Sequence, residues 1–338
     1  MDFTLSKEQQ MARTLFRDFA EKEVKPYAQE LDEEERFPSE ALEKLRKYKF
    51  MGIPYPKEWG GAGCDNLTYT ICIEEISKVC ATTSTMLSAH ESLGTWPIYK
   101  FGTQQQKEKY LKKLCTGEYL GAFALTEPNA GTDSSAQQTR AVLEGDHYVL
   151  NGSKIFITNG GYADTYIVFA MTDKSKGNHG ISAFIVEKNF PGFTFGKKEK
   201  KMGIRGSATR ELIFENCIVP KENLLGQEGK GFPIAMMTLD GGRIGIAAQA
   251  LGIAEGALNE TIKYVKERKQ FSRPLSKFQN TKFEIADMAT KIQAAQYLTY
   301  RAAIAKDTQK SCSLEAAMAK LYCASTAMDV TTRCVQLH

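Results

Sequence analysis

The sequence predicts an α+β protein, mostly α: an N-terminal helical domain over residues 1–120, a middle antiparallel β-barrel or sandwich over 121–231, and a C-terminal helical bundle over 232–338. Three observations predict it. Apolar residues recur every three or four positions in the outer parts and every second position in the middle. The middle strands follow one another without intervening helices, which favours antiparallel pairing. A stretch carrying proline and glycine, Phe123 to Ala136, marks the passage from the first pattern to the second.

In the first part, Ser6 with Gln9 forms a capping-box pattern ahead of Met11, Leu15, Phe16 and Phe19, so a helix starts there. Phe37-Pro38-Ser39 before Ala41, Leu42 and Leu45 predicts a second start with proline in the first turn. Gly60-Gly61-Ala62-Gly63 reads as a flexible joint, and Ile71, Ile73, Ile76 and Val79 restore helical periodicity over Leu67 to Val79. Thr103 with Gln106 caps a further helix bearing Tyr110, Leu111 and Leu114.

Pro128 forces the chain to bend, and Asn129 and Gly131 are expected to supply left-handed backbone for it. Thr126, Thr132, Ser134 and Ser135 add hydroxyls to a loop able to hold an anion or the edge of a polar heterocycle. An ordinary polar turn between two domains fits these residues equally well. Downstream, Asn151-Gly152 between Tyr148-Val149-Leu150 and Lys154-Ile155-Phe156-Ile157 predicts a tight hairpin. Tyr166–Ala170, Ile181–Val186, Phe193–Phe195 and Glu211–Phe214 supply the remaining strands.

Beyond Gly231, Ile244, Ala247, Leu251, Ala254, Leu258, Ile262 and Val265 place a long helix that ends near Gln270. Lys277 to about Asp307 and Leu314 to Leu337 give two more, rich in alanine and suited to a bundle. Val335-Gln336-Leu337-His338 stops inside an apolar helical pattern with no terminating glycine, so the chain is expected to be truncated.

Composition excludes several classes. Forty-four basic against 40 acidic residues leave a net charge of +4, too little to mark a nucleic-acid binder. Eight cysteines without a C-x-x-C pair, and histidines at 90, 147, 179 and 338, show no metal-ligand spacing. They read as free thiols of a reducing compartment, and a cytoplasmic protein is expected. No stretch approaches ~18 consecutive apolar residues, so no membrane span is expected. No G-x-G-x-x-G follows a strand, Gly226 to Gly231 lacks the hydroxyl residue of a P-loop, and no G-x-S-x-G is present.

Thr126-Glu127-Pro128-Asn129-Ala130-Gly131-Thr132-Asp133 resembles the flavin-binding signature of the acyl-CoA dehydrogenases, and Gly152-Ser153-Lys154-Ile155-Phe156-Ile157-Thr158-Asn159-Gly160 is similar to their second flavin segment. Leu239-Asp240-Gly241-Gly242-Arg243-Ile244-Gly245-Ile246-Ala247 resembles the short-chain, butyryl-CoA branch. The resemblance implies bound FAD, with Phe123, Leu125, Thr126, Thr132, Phe156, Ile157 and Thr158 around the isoalloxazine ring and Gly131 also binding the cofactor. It implies that Arg268 reaches the flavin diphosphate of a neighbouring subunit, that Phe271, Phe278 and Gln279 lie toward the adenine, that Gln336 is a further diphosphate contact, and that Gln270 also binds the cofactor.

Asp240 and Arg243, three apart on one helical face, are either a structural ion pair or, as the resemblance implies, contacts of the acyl-CoA thioester arm together with Thr132. Ser88 to Leu93, near Met86 and Trp96, would line the acyl pocket, and His90 is given no role. The implied activity is α,β-dehydrogenation of a short-chain acyl-CoA, with α-proton removal by a glutamate, β-hydride transfer to flavin, and an electron-transfer flavoprotein as partner of a homotetramer. An acyl-CoA oxidase, a flavin monooxygenase, or a non-catalytic flavin- or CoA-binding subunit are the alternatives. No catalytic residue is assigned: Gly242 occupies the position where one branch carries the glutamate, and the other branch carries it at a point expected beyond His338.

Overall fold

The structure, a computed structural model, describes residues 4–338. In chain order its helices are α1 (Lys7–Phe19), α2 (Lys25–Glu33), α3 (Ser39–Lys47), α4 (Asn66–Ser77), α5 (Ala81–Ser88), α6 (Trp96–Phe101), α7 (Gln104–Gln106), α8 (Lys112–Thr116), α9 (Gly231–Glu267), α10 (Gln279–Thr308) and α11 (Ser313–Leu337). The strands are β1 (Gly121–Ala124), β2 (Arg140–Glu144), β3 (His147–Thr158), β4 (Thr165–Met171), β5 (Ile181–Glu187), β6 (Phe193–Lys198), β7 (Thr209–Pro220), β8 (Leu224–Leu225), β9 (Lys269–Gln270) and β10 (Arg273–Pro274). They form two compact units: the residues up to Gln29 with Asp65–Ser84 and Arg243–His338, and Glu30–Cys64 with Thr85–Gly242.

The first unit is helical. α1 begins at the expected capping box, where the Gln9 N–H donates to Ser6 Oγ at 3.2 Å and the Ser6 N–H donates to Gln9 Oε1 at 3.0 Å. α4 is capped by Asp65, whose Oδ1 accepts from the Thr68 N–H at 2.7 Å, and its residues Leu67 to Ser77 are buried all round. Such a helix is core rather than surface. Gly252 lets α9 lie directly on it: a Cβ there would stand 2.3 Å from the Glu74 carbonyl oxygen. α10 and α11 pack together, and both bury small residues, among them Ala295, Ala302, Ala303, Ala316, Ala319 and Ala327. Arg333 ties the pair by donating to Glu284 at 2.6 Å and to Asp287.

The second unit packs helices against one sheet. Strand order is β6-β7-β3-β2-β4-β5-β8, with β1 added alongside β4. β1 and β2 meet β4 in parallel and the other pairs are antiparallel. This corrects the expectation of a barrel, since no pairing among the described residues joins the two ends of the order. The physical reason lies in β4, buried along its whole length. Helix-side residues Ile98, Tyr110, Leu111 and Leu114 share one core with Ile167, Phe169, Ile181 and Ile185, so the sheet buries a face against helices instead of curling around a core of its own.

Three local expectations also change. α3 starts at Ser39, with Pro38 in the cap position rather than inside the first turn. The Asn151-Gly152 hairpin does not form; β3 runs straight through it as one strand of twelve residues with an irregularity between Leu150 and Gly152. Gly152 is required there by close approach, because a Cβ would stand 2.6 Å from Thr139 Oγ1. The turn falls at Gly145 (φ +64°) and Asp146, between Glu144 and His147. Finally, neither Asn129 nor Gly131 is among the residues of positive φ, so the Pro128 bend closes without left-handed backbone.

Candidate functional site

The bend is a closed turn: Glu127 and Ala130 exchange two backbone hydrogen bonds of 3.1 Å each, leaving Pro128 and Asn129 exposed at the tip. The loop then meets the second segment directly, with the Ile155 N–H donating to the Thr126 carbonyl at 2.8 Å. Thr126 is half-buried, Gly131 and Thr132 are exposed, and Leu125 is buried. Phe123 packs its ring 5.0 Å from that of Phe169.

Beneath this junction lies a buried charged pair. Lys154 Nζ donates to Glu127 Oε1 at 2.7 Å, to Gln137 Oε1 at 3.0 Å and to the Leu125 carbonyl at 3.1 Å. Glu127 also accepts from the backbone N–H groups of Gln138 (2.5 Å) and Thr139 (3.0 Å). Burial pushes the Lys154 ammonium down to about 8 against the pull of Glu127. Burial alone would raise the Glu127 carboxyl, but the Lys154 charge and the Gln138 N–H outweigh it and hold it below its ordinary value. Both groups are therefore charged near neutral pH, and their hydrogen bonds join the two segments. Residue reading missed this pair; the available signal was a lysine in phase with the inward-facing Tyr148 and Leu150 of β3.

The same strand explains the exposure of Phe156. An irregularity between Lys154 and Ile157 shifts the alternation by one residue, so Ile157 turns inward and Phe156 turns out. Phe156 is 60% exposed and sits at φ +61°, an uncommon conformation for an aromatic residue. The Ile157 side chain is buried, its carbonyl accepts from the Gly160 N–H at 3.1 Å, and Thr158 is half-buried.

The remaining predicted site residues lie elsewhere. Arg268, Gln270, Phe271, Gln279 and Gln336 are exposed in the first unit and Phe278 is half-buried. β9 and β10 make a hairpin whose tip residues, Phe271 and Ser272, both have positive φ. The Arg273 guanidinium lies 4.0 Å from the centre of the Phe278 ring, and Phe271 meets Phe278 edge-on at 6.2 Å. Tyr264 links this end to that of α11: its carbonyl accepts from the Arg268 N–H, and its ring stacks on His338 at 4.3 Å, two residues from Gln336. Asp240 and Arg243 are half-buried on successive turns of α9. Between them Gly242 faces Leu93, whose Cδ2 would stand 2.8 Å from an added Cβ. Ser88 ends α5, and Ala89 to Leu93 lie in a π-helical turn, Ala89–Thr95, with His90, Glu91 and Ser92 buried. Among the described residues no group of three or more His, Cys, Asp or Glu could hold a metal ion, and no helix is long and apolar enough to cross a membrane.

A helical part, a sheet entered through a hydroxyl-bearing turn, and a closing set of long helices define a class. The chain matches the family descriptions "Acyl-CoA dehydrogenase, N-terminal domain" over residues 6–118, "middle domain" over 122–217 and "C-terminal domain" over 229–338. It belongs to the acyl-CoA dehydrogenase family. It is 62% identical over 337 residues to the short-chain specific acyl-CoA dehydrogenase of Clostridium acetobutylicum, covering 100% of this chain and 89% of that protein. The structure of butyryl-CoA dehydrogenase from Megasphaera elsdenii superposes with a TM-score of 0.98 at 54% identity, again covering 100% and 89%. A chain solved in work on the electron transferring flavoprotein of Acidaminococcus fermentans gives a TM-score of 0.98 at 59% identity over 100% and 89%. The chain spans 89% of the length of each of these proteins.

The family implies FAD, and the loop region fits a flat heterocycle. The Phe156 ring offers most of its surface outside the core, and a Cβ added at Gly131 would meet nothing within 4 Å. Gly131 and Thr132 are exposed and Thr126 is half-buried, above the charged pair of Lys154 and Glu127.

Proposed function

We propose that this chain catalyses the FAD-dependent α,β-dehydrogenation of a short-chain acyl-CoA thioester of the butyryl-CoA/crotonyl-CoA type and exchanges electrons with an electron-transfer flavoprotein. The observation that carries the reading is the reach of Lys154 from the second segment to Leu125 and Glu127 of the first, which makes one rigid platform of both. When bound, the flavin supplies the hydride acceptor.

The chain's own residues bind and orient. Phe123, Leu125, Thr126, Thr132, Phe156, Ile157 and Thr158 surround the ring, the buried ones through backbone groups. Arg268 holds the diphosphate of a flavin in a neighbouring subunit of a homotetramer, Gln336 is a further diphosphate contact, Phe271, Phe278 and Gln279 lie by the adenine side, and Gln270 also binds the cofactor. Thr132, Asp240 and Arg243 hold the thioester arm. The α-proton passes to a glutamate, which is not at position 242. Eight cysteines without a C-x-x-C pair support a place in the reducing cytoplasm.

Anaerobic titration of the FAD-loaded protein with butyryl-CoA tests the reading. Bleaching of the flavin, crotonyl-CoA formation and reoxidation by electron-transfer flavoprotein are expected. A bound flavin that butyryl-CoA leaves unchanged would sink it, and stoichiometric hydrogen peroxide in air would move the protein to the oxidases.

A further inference from the structure

Gly121 is held by side chains at both of its backbone polar groups. Its N–H donates to His90 Nδ1 at 2.9 Å, and its carbonyl accepts from Asn159 Nδ2 at 3.2 Å. His90 and Asn159 are completely buried.

Each side chain is anchored in turn. His90 Nε2 lies 3.1 Å from both the Met51 and the Leu114 carbonyl oxygens. Two acceptors at Nε2 require the proton there, which leaves Nδ1 as the acceptor for Gly121. Burial pushes the imidazole down to about 4, so the neutral ring persists across the physiological range. Asn159 donates a second hydrogen bond from Nδ2 to the Met86 carbonyl at 3.1 Å, and its own N–H donates to the Ala208 carbonyl at 2.9 Å. Its φ of +65° suits asparagine. Gly94, in the same π-helical turn as His90, touches β1 backbone to backbone: a Cβ on it would stand 2.7 Å from the Gly121 Cα. π turns inside helices are often found at functional sites.

Gly121 precedes Phe123 by two residues, and Asn159 follows Thr158 directly. The three residues therefore join the entry of the first ring-facing segment to the exit of the second. We propose that His90 and Asn159 are positioning residues for the flavin, fixing through Gly121 the spacing between Phe123–Thr126 and Phe156–Thr158. The inference rests on the flavin reading above. Neither side chain has to touch the ring; each sets where backbone groups that do so stand, and small misplacement of such groups is costly.

The test is FAD titration of the apoprotein, followed by flavin fluorescence and by the visible bands of the bound flavin, alongside thermal melting of each apoprotein. His90→Leu removes the acceptor, Asn159→Gly removes the donor while keeping the backbone free to adopt positive φ, and His90→Asn retains an acceptor near the Nδ1 position. His90→Leu and Asn159→Gly are each expected to weaken FAD binding about tenfold and to blur the flavin bands, with His90→Asn restoring most of the affinity. Affinities and spectra within about twofold of wild type, with only melting lowered, would show a purely structural role and overturn the proposal. Should His90→Leu not fold, Asn159→Gly and His90→Asn decide by the same readouts. A wild-type protein that takes up no FAD removes the flavin reading and this inference together; wild-type uptake with unchanged variants removes this inference alone.

Discussion

Lys154 and Glu127 form an ion pair out of water, Nζ to Oε1 2.7 Å, with side chains 0% and 4% exposed. The pair joins residues 27 apart in the chain, and it directly adjoins Thr126 of the first segment and Ile155 of the second. Its value to the protein is geometric. Two charges in such a place gain little net stability over an apolar pair, but they allow few alternative arrangements.

Removing one partner is therefore expected to be severe. Glu127→Gln or Lys154→Met leaves an uncompensated buried charge and should each cost about 3–5 kcal/mol in urea denaturation, while the double substitution costs less than the sum. The pH dependence follows from the two shifts. Glu127 is held below its ordinary 4.5, so its stabilisation is complete above that value and disappears as pH falls through the folded-state value. Lys154 is lowered from 10.5 to about 8, so between these values the unfolded chain binds the extra proton and stability rises with pH. Melting curves of wild type and the double substitution should differ in slope in both windows; parallel curves would refute the assignment.

Phe156 combines exposure with left-handed backbone, a strain of about 1–3 kcal/mol that the apoprotein gains nothing from. Phe156→Gly is expected to stabilise the apoprotein by about 1 kcal/mol while weakening FAD binding at least tenfold. Calorimetry of the apoprotein and a flavin titration check the two halves separately. Tighter flavin binding by the glycine variant would remove Phe156 from the site.

In the helical unit, three carboxylates, Glu74, Glu75 and Glu255, face two cations, Arg13 and Lys78. Glu74 also accepts from the Tyr300 hydroxyl at 2.6 Å. Burial first, and the Glu255 charge second, raise it from 4.5 to about 8 against Lys78 and Arg13. Over that interval the folded protein holds a proton that the unfolded chain has released, so stability falls as pH rises. Glu74→Gln should flatten the fall; an identical pH profile for wild type and variant would place the excess charge on another group.

The sequence by itself determined the helical, stranded, helical succession, because each period is set by whether a residue's neighbours in space are one turn or two residues away. The Ser6–Gln9 and Thr103–Gln106 caps formed as read, since a cap involves only four consecutive residues. It also marked the two segments that meet at Thr126 and Ile155. Only the tertiary structure decided that Asn151-Gly152 continues a strand, since the approach of Thr139 has no local signature. The same holds for the open sheet, which buries a face against helix residues such as Ile98 and Leu114. Lys154, Asn159 and His90 take their meaning only from the fold: a buried polar side chain is explained by the backbone groups it satisfies, and those groups lie 24 to 73 residues away.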